Sequence, residues 1–242
     1  MAFHNRIDPR RARFIRTEAR KLTIQFWRRN KKFYPGPNGH LNLLPFEPKL
    51  IAEGVLGLSF DEPWELGFSN YAGALQVELA GQLDRPNRQI SIARKFSAEI
   101  RRFTAAHEIG HFILHRERNL FRESPLTDPA IWRPATRPEL EANIFAAELL
   151  MPSKILRDLF VRRFPAPIDV CKIDDNDAVM LTNGHLMPSE LRAKPLQEIA
   201  EIVANASSFV SGDQRTLTDI FGVSRAAMGI QFRDLGLIRR SA

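Results

Sequence analysis

Three side chains within five residues could run a hydrolysis. In "RRFTAAHEIGHFILHRER", residues 101–118, His107, Glu108 and His111 stand in the order H-E-x-x-H. Residues four apart on a helix share one face, within about 6 Å of each other. Both imidazoles can therefore aim a nitrogen at one ion about 2.0–2.1 Å away, and zinc suits imidazole and carboxylate ligands with one place left open. Glu108 lies about 100° around the helix from His107, outside the ligand row. Its carboxylate can still reach a water at the open place and take a proton from it. His115 extends the row, but eight helical residues rise about 12 Å, too far for both ends to hold one ion. A packing or supporting role is expected for His115.

A third ligand is expected from "PELEANIFAAELLMP" (138–152). Glu139 and Glu141 point about 200° apart, so at most one of them faces the ion. Glu139 shares its face with Ala142, Asn143, Ala146 and Leu149, a small and apolar stripe suited to close helix packing. Glu141 shares a side with Glu148, which reads as solvent-facing. Glu139 is the preferred ligand, Glu141 the alternative, and Asn143 a residue that could orient a ligand from one turn further on. Three protein ligands and an open place characterise a catalytic zinc, whereas structural sites are closed by four. Gly110 costs roughly 1 kcal/mol against Ala inside a helix, so a neighbouring strand is expected to approach there.

The elements that must position these residues follow from periodicity and punctuation. Helices are predicted from about Ser97 to His115, over 138–150 between Pro138 and Pro152, and over "SKILRDLFVRRF" (153–164). Two strands, "GALQVELAGQLD" (73–84) and "RQISIAR" (88–94), precede the first of these across the turn "RPN". "YPGPNGHLNLLP" (34–45) and "RESPLTDPAIWRP" (122–134) read as loops. Residues 165–190 read as irregular, with Asp174, Asp175 and Asp177 solvated. Near the end, "RTLTDIFGVSRAAMGIQFRDLG" has the form of a helix, a turn at Gly222 and a second helix from about Ser224. If that unit reads DNA, Arg225 and Gln231 are its candidate base readers.

The fold expected is α+β. A small twisted sheet packs on the H-E-x-x-H helix, followed by a helix-turn-helix-like C-terminal region. The segments expected are a basic N-terminal helix (1–33), a zinc-site domain carrying H-E-x-x-H (34–165), an irregular linker (166–194) and the C-terminal region (195–242).

Charge sharpens this division. Residues 1–32 carry eleven Arg/Lys against Asp8 and Glu18, a net of +9, which leaves −2 of the total +7 for the remainder. Asp8 and Pro9 form a helix start, and Ile15, Ala19, Leu22 and Phe26 make one apolar stripe. The stripe is expected to pack on the main domain with the arginines solvated; docking of an acidic partner or a phosphate backbone is the alternative. From Ser211 onward five arginines face three aspartates, a weak footprint that disfavours DNA binding. A single cysteine, Cys171, excludes an intrachain disulfide and a cysteine-held zinc, and fits a cytoplasmic location. No apolar run is long enough to span a membrane, and the arginine-rich N-terminus lacks the apolar core of a secretory signal.

From "AGQLDRPNRQISIARKFSAEIRRFTAAHEIGHFILH" through "ELEANIFAAELLMP", roughly residues 50–165, the chain resembles the ImmA/IrrE family of metallo-endopeptidases. That family pairs an "HExGH" helix with an "E..AN.FA.ELLMP" helix, and the C-terminal "FGVSRAAMGIQFRDLGLI" looks like its tail. The resemblance implies a zincin-like fold, Zn2+ held by His107, His111 and Glu139, and Glu108 as the base. It further implies hydrolysis of peptide bonds, typically in helix-turn-helix repressors. The basic segment has no counterpart in the pattern. Tyr34, Tyr71 and His185 are candidate donors to the oxyanion that such a reaction generates. The competing expectation is a DNA-binding or toxin-like regulatory protein whose zinc site is vestigial or structural.

Overall fold

Pro9 opens the first helix, α1 (Pro9–Arg29), as the Asp-Pro start requires. Asp8 accepts from the Arg10 amide at 2.6 Å through its carboxylate and from the Ala12 amide at 2.9 Å through its carbonyl. The computed structural model describes residues 7–29, 47–71, 75–117, 120–123, 136–164, 167–206 and 215–241. The loop expected at 34–45, most of the one at 122–134, and Tyr34 lie outside these residues. Packing divides the chain into two units, Met1–Leu150 and Met151–Ala242.

In the first unit α1 is followed by α2 (Pro48–Ile51), which runs on into a single π turn at Ala52–Leu56. Then come β1 (Ser59–Asp61), β2 (Phe68–Tyr71), β3 (Leu75–Glu78), β4 (Gly81–Asp84) and β5 (Gln89–Ile92). α3 (Ala98–Leu114), β6 (Leu120–Glu123) and α4 (Arg137–Leu150) complete it. The main sheet has the order β1-β5-β4-β6, with β1 parallel to β5 and the other pairs antiparallel. β2 and β3 form a separate antiparallel pair. The strand expected over 73–84 is thus two strands in two sheets, broken at Leu79 and Ala80. β4 and β5 are joined by a turn at Arg85–Arg88, where Arg88 takes φ 51° and Asp84 accepts from the Asn87 amide at 3.1 Å. One face of this hairpin buries Leu83, Ile90 and Ile92, and α3 packs on the sheet.

α1 belongs to this unit because its stripe is core. Ile15 and Ala19 are fully buried, with Leu22 and Phe26 nearly so. Its N-terminal end joins a cluster of Ile7, Ala12, Leu140 and Ile144 against α4. The border expected near residue 33 therefore separates nothing in the packing. The face of α4 that carries Glu141 and Glu148 was expected to meet water, and it does not. Both side chains are buried, at 3 % and 1 % exposure. Glu141 pairs with Arg11 of α1 and with Arg137 at 3.0 Å, while Glu148 pairs with Arg20 at 2.8 Å and Arg16 at 3.8 Å. A carboxylate loses hydration on burial and must be matched by charge and hydrogen bonds. Three arginines of the basic segment perform that task here.

The second unit contains α5 (Ser153–Arg163), β7 (Ile168–Asp169), α6 (Asp175–Thr182), α7 (Pro188–Ala193), α8 (Leu196–Ala204), α9 (Leu217–Phe221), α10 (Arg225–Asp234) and β8 (Ile238–Arg239). The linker expected to be irregular over 166–194 contains two helices. Asp174 and Asp177 form a capping box that starts α6, each side chain accepting from the other's amide. The acidic triplet was a helix start, a use that a count of charges does not reveal. α9, Gly222 at φ 59° and a Ser224 cap before α10 reproduce the expected helix, turn and helix. α10 packs on α8, however, and Gln231 is buried with its amide near the Met151 carbonyl at 3.4 Å. Burial removes Gln231 as a base reader, whereas Arg225 is exposed. Among the described residues no helix is long and apolar enough to cross a membrane.

Replacing Ile15 by Ala should lower stability by about 2–5 kcal/mol in urea titrations, because a fully buried side chain is lost from the α1 contact. Phe14→Ala, at a position 48 % exposed, should change it by about 0.5 kcal/mol or less.

Candidate metal centre

α3 begins where expected, with Ser97 as its cap accepting from the Ile100 amide at 3.4 Å, and His115 closes it. Its middle, Thr104 to His111, is buried on every side. Against it lies α4, and the two helices come close at Gly110. A Cβ on Gly110 would stand 3.2 Å from the Cα and carbonyl oxygen of Ala142 and from Cβ of Phe145. The close neighbour that explains this glycine is a helix, not the expected strand. A residue without Cβ facing a small one lets the two backbones approach and brings their ligand-bearing faces together.

That approach assembles the three residues singled out from the sequence. Nε2 of His107 is 2.9 Å from Nε2 of His111 and 3.1 Å from Oε2 of Glu139, and the third edge, His111 to Glu139, is 3.3 Å. Ligand atoms about 2.0–2.1 Å from a tetrahedral ion lie about 3.4 Å apart, so this triangle is close to one face of such a tetrahedron. His107, His111 and Glu139 form the one group of at least three candidate ligands found among the described residues. Glu141 points the other way, to Arg11, which decides between the two glutamates on geometric grounds.

The other nitrogen of each imidazole is held. Nδ1 of His107 is 2.8 Å from Oδ1 of Asn143, the orienting contact expected. An amide oxygen only accepts, so His107 donates from Nδ1 and its Nε2 keeps a lone pair for an ion. Nδ1 of His111 is 3.0 Å from Nδ1 of His115, whose Nε2 is 3.3 Å from Oε2 of Glu141. The carboxylate only accepts, so His115 donates to it from Nε2. Neutral His115 then accepts at Nδ1, His111 donates there, and Nε2 of His111 also keeps its lone pair.

Electrostatics act on two members of the triangle and on His115. Burial pushes His111 down to about 4, with the charge of His107 adding to that; the hydrogen bond and charge of Glu139 oppose it without reversing it. Burial likewise lowers His115, against the opposing pull of Glu141. For Glu139 burial alone would raise the carboxyl, but hydrogen bonds and charge from His107 and His111 together hold it well below the usual carboxylate range. At neutral pH His111 is therefore neutral and Glu139 a carboxylate, forms that ligate a divalent ion.

Glu108 is fully buried, and the strand beside it is β4. A Cβ added to Gly81, the first residue of β4, would meet Thr104 Cγ2 at 2.4 Å and Glu108 Oε1 at 3.2 Å. Gly81 thus leaves the space that the acid occupies. Arg85, in the sequence only part of a turn, donates to the carbonyls of His111, Phe112 and His115 at 2.8–3.0 Å. These are acceptors at the C-terminal end of α3, where helix carbonyls are left without partners and a cation is favoured. The arginine of one hairpin turn therefore secures the helix end that bears two of the histidines. Of the candidate oxyanion donors, Tyr34 lies outside the described residues, Tyr71 is placed only as a backbone position in β2, and His185 is an exposed residue of the second unit.

Two imidazoles one turn apart, a carboxylate from the following helix and an acid beside the first histidine make up a helix-pair centre able to hold a metal. Residues 69–165 match the model of a peptidase family described as the IrrE N-terminal-like domain. Over that region the chain is similar to the ImmA/IrrE family of metallopeptidases. No curated protein matches the chain significantly.

The metal-free protein should lose stability as pH falls from about 6.5 to about 4. Above that window His111 is neutral folded or unfolded; within it, the unfolded chain binds a proton that the buried ring does not. The loss should be on the order of 3 kcal/mol, with Glu139 adding to it below its own usual range. Urea titrations in chelator at several pH values would measure it, and His111→Ala should flatten the upper part of the curve.

Proposed function

We propose that this protein is a zinc-dependent endopeptidase of narrow specificity that acts in the cytoplasm on a helix-turn-helix transcriptional repressor. The observation that carries the metal reading is the triangle of His107, His111 and Glu139, with edges of 2.9–3.3 Å between lone-pair-bearing atoms. The family match over residues 69–165 supports the reaction type, and the resemblance of the two helical motifs to repressor-cleaving relatives supports the substrate class. A zincin-like arrangement of sheet and helix pair is part of the same reading.

Zinc bound here supplies Lewis acidity toward water and toward the carbonyl of a peptide. The chain's own residues do the remaining work. Glu108, one residue beyond His107 and outside the ligand row, takes the proton from the attacking water and delivers it to the leaving amine. Asn143 and His115 keep the imidazoles in the ligating tautomer. Gly81 keeps β4 clear of the Glu108 carboxylate.

The second reading, a DNA-binding or toxin-like regulator with a structural zinc, is less well supported. A structural centre has no use for a carboxylate beside its first ligand, and burial withdraws Gln231 from the candidate base readers.

Glu108→Gln should retain zinc while lowering cleavage by at least about 100-fold, the smaller end of what a general base contributes. Metal analysis and cleavage of a helix-turn-helix repressor encoded beside the gene would test both halves. Discrete fragments that disappear with chelator and return with zinc are expected. Rapid digestion of casein, or a Glu108→Gln protein as active as the parent, would overturn the proposal.

A further inference from the structure

The family match begins at residue 69, so α1 lies outside it, yet a side chain of α1 is linked through three hydrogen bonds to a candidate metal ligand. Arg11 Nη2 pairs with Oε2 of Glu141, the same oxygen that faces Nε2 of His115 at 3.3 Å. Nδ1 of His115 in turn meets Nδ1 of His111 at 3.0 Å. Arg137 takes the other oxygen, Oε1, from a largely exposed position on α4 itself. The four residues form a line from the basic helix to the metal centre: Arg11, Glu141, His115, His111.

We infer that Arg11 is a positioning residue for the metal centre, fixing Glu141 so that His115 holds His111 in the ligating tautomer. Each link is directional. The guanidinium only donates, so the shared oxygen is kept as a charged acceptor in one place. That acceptor fixes which nitrogen of His115 carries hydrogen, and His115 fixes which nitrogen of His111 does. Partners of this kind, behind a ligating histidine, change metal affinity when removed, typically by 10–100-fold. The basic segment thus has an internal use at its N-terminal end. This inference rests on the metal reading of the previous section, and it extends the centre into a part of the chain that the family does not describe.

A second ion pair on the same two helices provides the control. Arg20 and Glu148 lie further along α1 and α4, about two turns or more beyond Arg11 and Glu141, and join the same helices. If α1 only props α4, loss of either arginine should act alike. If the line is specific, only loss of Arg11 should reach the metal.

The test is zinc affinity of the full-length protein by competition with a chromophoric chelator, together with the visible spectrum of the cobalt-substituted protein. Arg11→Ala should bind zinc about tenfold or more weakly and alter the cobalt bands. Arg20→Ala should bind within about twofold of the parent even where its melting temperature falls as far. Arg11→Lys, which keeps a cation near Glu141, should restore part of the affinity. Glu141→Gln, which removes the charge at nearly constant size, should weaken zinc binding as Arg11→Ala does, and decides the matter should Arg11→Ala fold poorly. Equal affinity in Arg11→Ala and the parent, or equal weakening in Arg20→Ala, overturns the inference and leaves the metal reading intact. A parent protein that binds no zinc, or binds it as well after His107→Ala, overturns the metal reading and the inference with it.

Discussion

α3 and α4 can bring three ligand atoms within one coordination sphere only because their backbones nearly touch at Gly110 and Ala142, where one added Cβ would sit 3.2 Å from main-chain atoms. Side chains of histidine and glutamate are short relative to the usual 8–10 Å between packed helix axes. A wider spacing would leave Glu139 short of the imidazoles. The helix-propensity cost of Gly110 is therefore offset by what its missing side chain permits. Much of the first unit serves this contact. The β4–β5 hairpin packs on α3 and ties its C-terminal end through Arg85, and α1 covers the far side of α4.

The far side of α4 is where charge decides the architecture. Glu141 and Glu148, seven residues apart on one helical stripe, are both almost inaccessible to water. Two buried carboxylates without cations would not remain charged, and the helix could not pack. α1 places Arg11 over the first, and Arg16 and Arg20 over the second. Its apolar residues Ile15, Ala19, Leu22 and Phe26 fill the remaining contact. One helix thus answers the hydrophobic stripe and the acidic one together. The concentration of positive charge in residues 1–32 follows in part from this internal demand, before any external partner is considered.

Which parts were legible in the sequence follows from what periodicity can and cannot report. Spacing alone put His107 and His111 on one face and Glu108 off it, and the small stripe around Glu139 marked the face that meets α3. Asn143 was legible for the same reason, being one turn from Glu139. Periodicity specifies directions around a helix, however, and does not say what lies in each direction. Glu141 and Glu148 were placed on the correct common side and assigned to water, since no local signal shows that a helix more than a hundred residues earlier covers them. Gly110 carried a real signal of close approach, and only the three-dimensional contact names the partner as a helix. Asp174 and Asp177 resemble a solvated acidic run because a density of charge does not reveal that an amide three residues away needs an acceptor. Strands β1, β2 and β6, each three or four residues long, are too short for alternation to stand out.

The proposed separation of metal binding from proton transfer is likewise a matter of helix geometry assisted by the sheet. A ligand and the residue after it diverge by about 100°, so an acid at that position leaves the metal-facing stripe and turns toward whatever packs on the next face. Here that neighbour is β4, and at the point of contact it presents Gly81. Any side chain at 81 would fall on Thr104 and come within 3.2 Å of the Glu108 carboxylate, crowding the proposed base. Two glycines therefore bracket the working helix turn: Gly110 brings the ligand-bearing helices together, and Gly81 keeps the sheet from closing on the acid. The first controls where an ion can sit, and the second controls whether the carboxylate beside it has space to act.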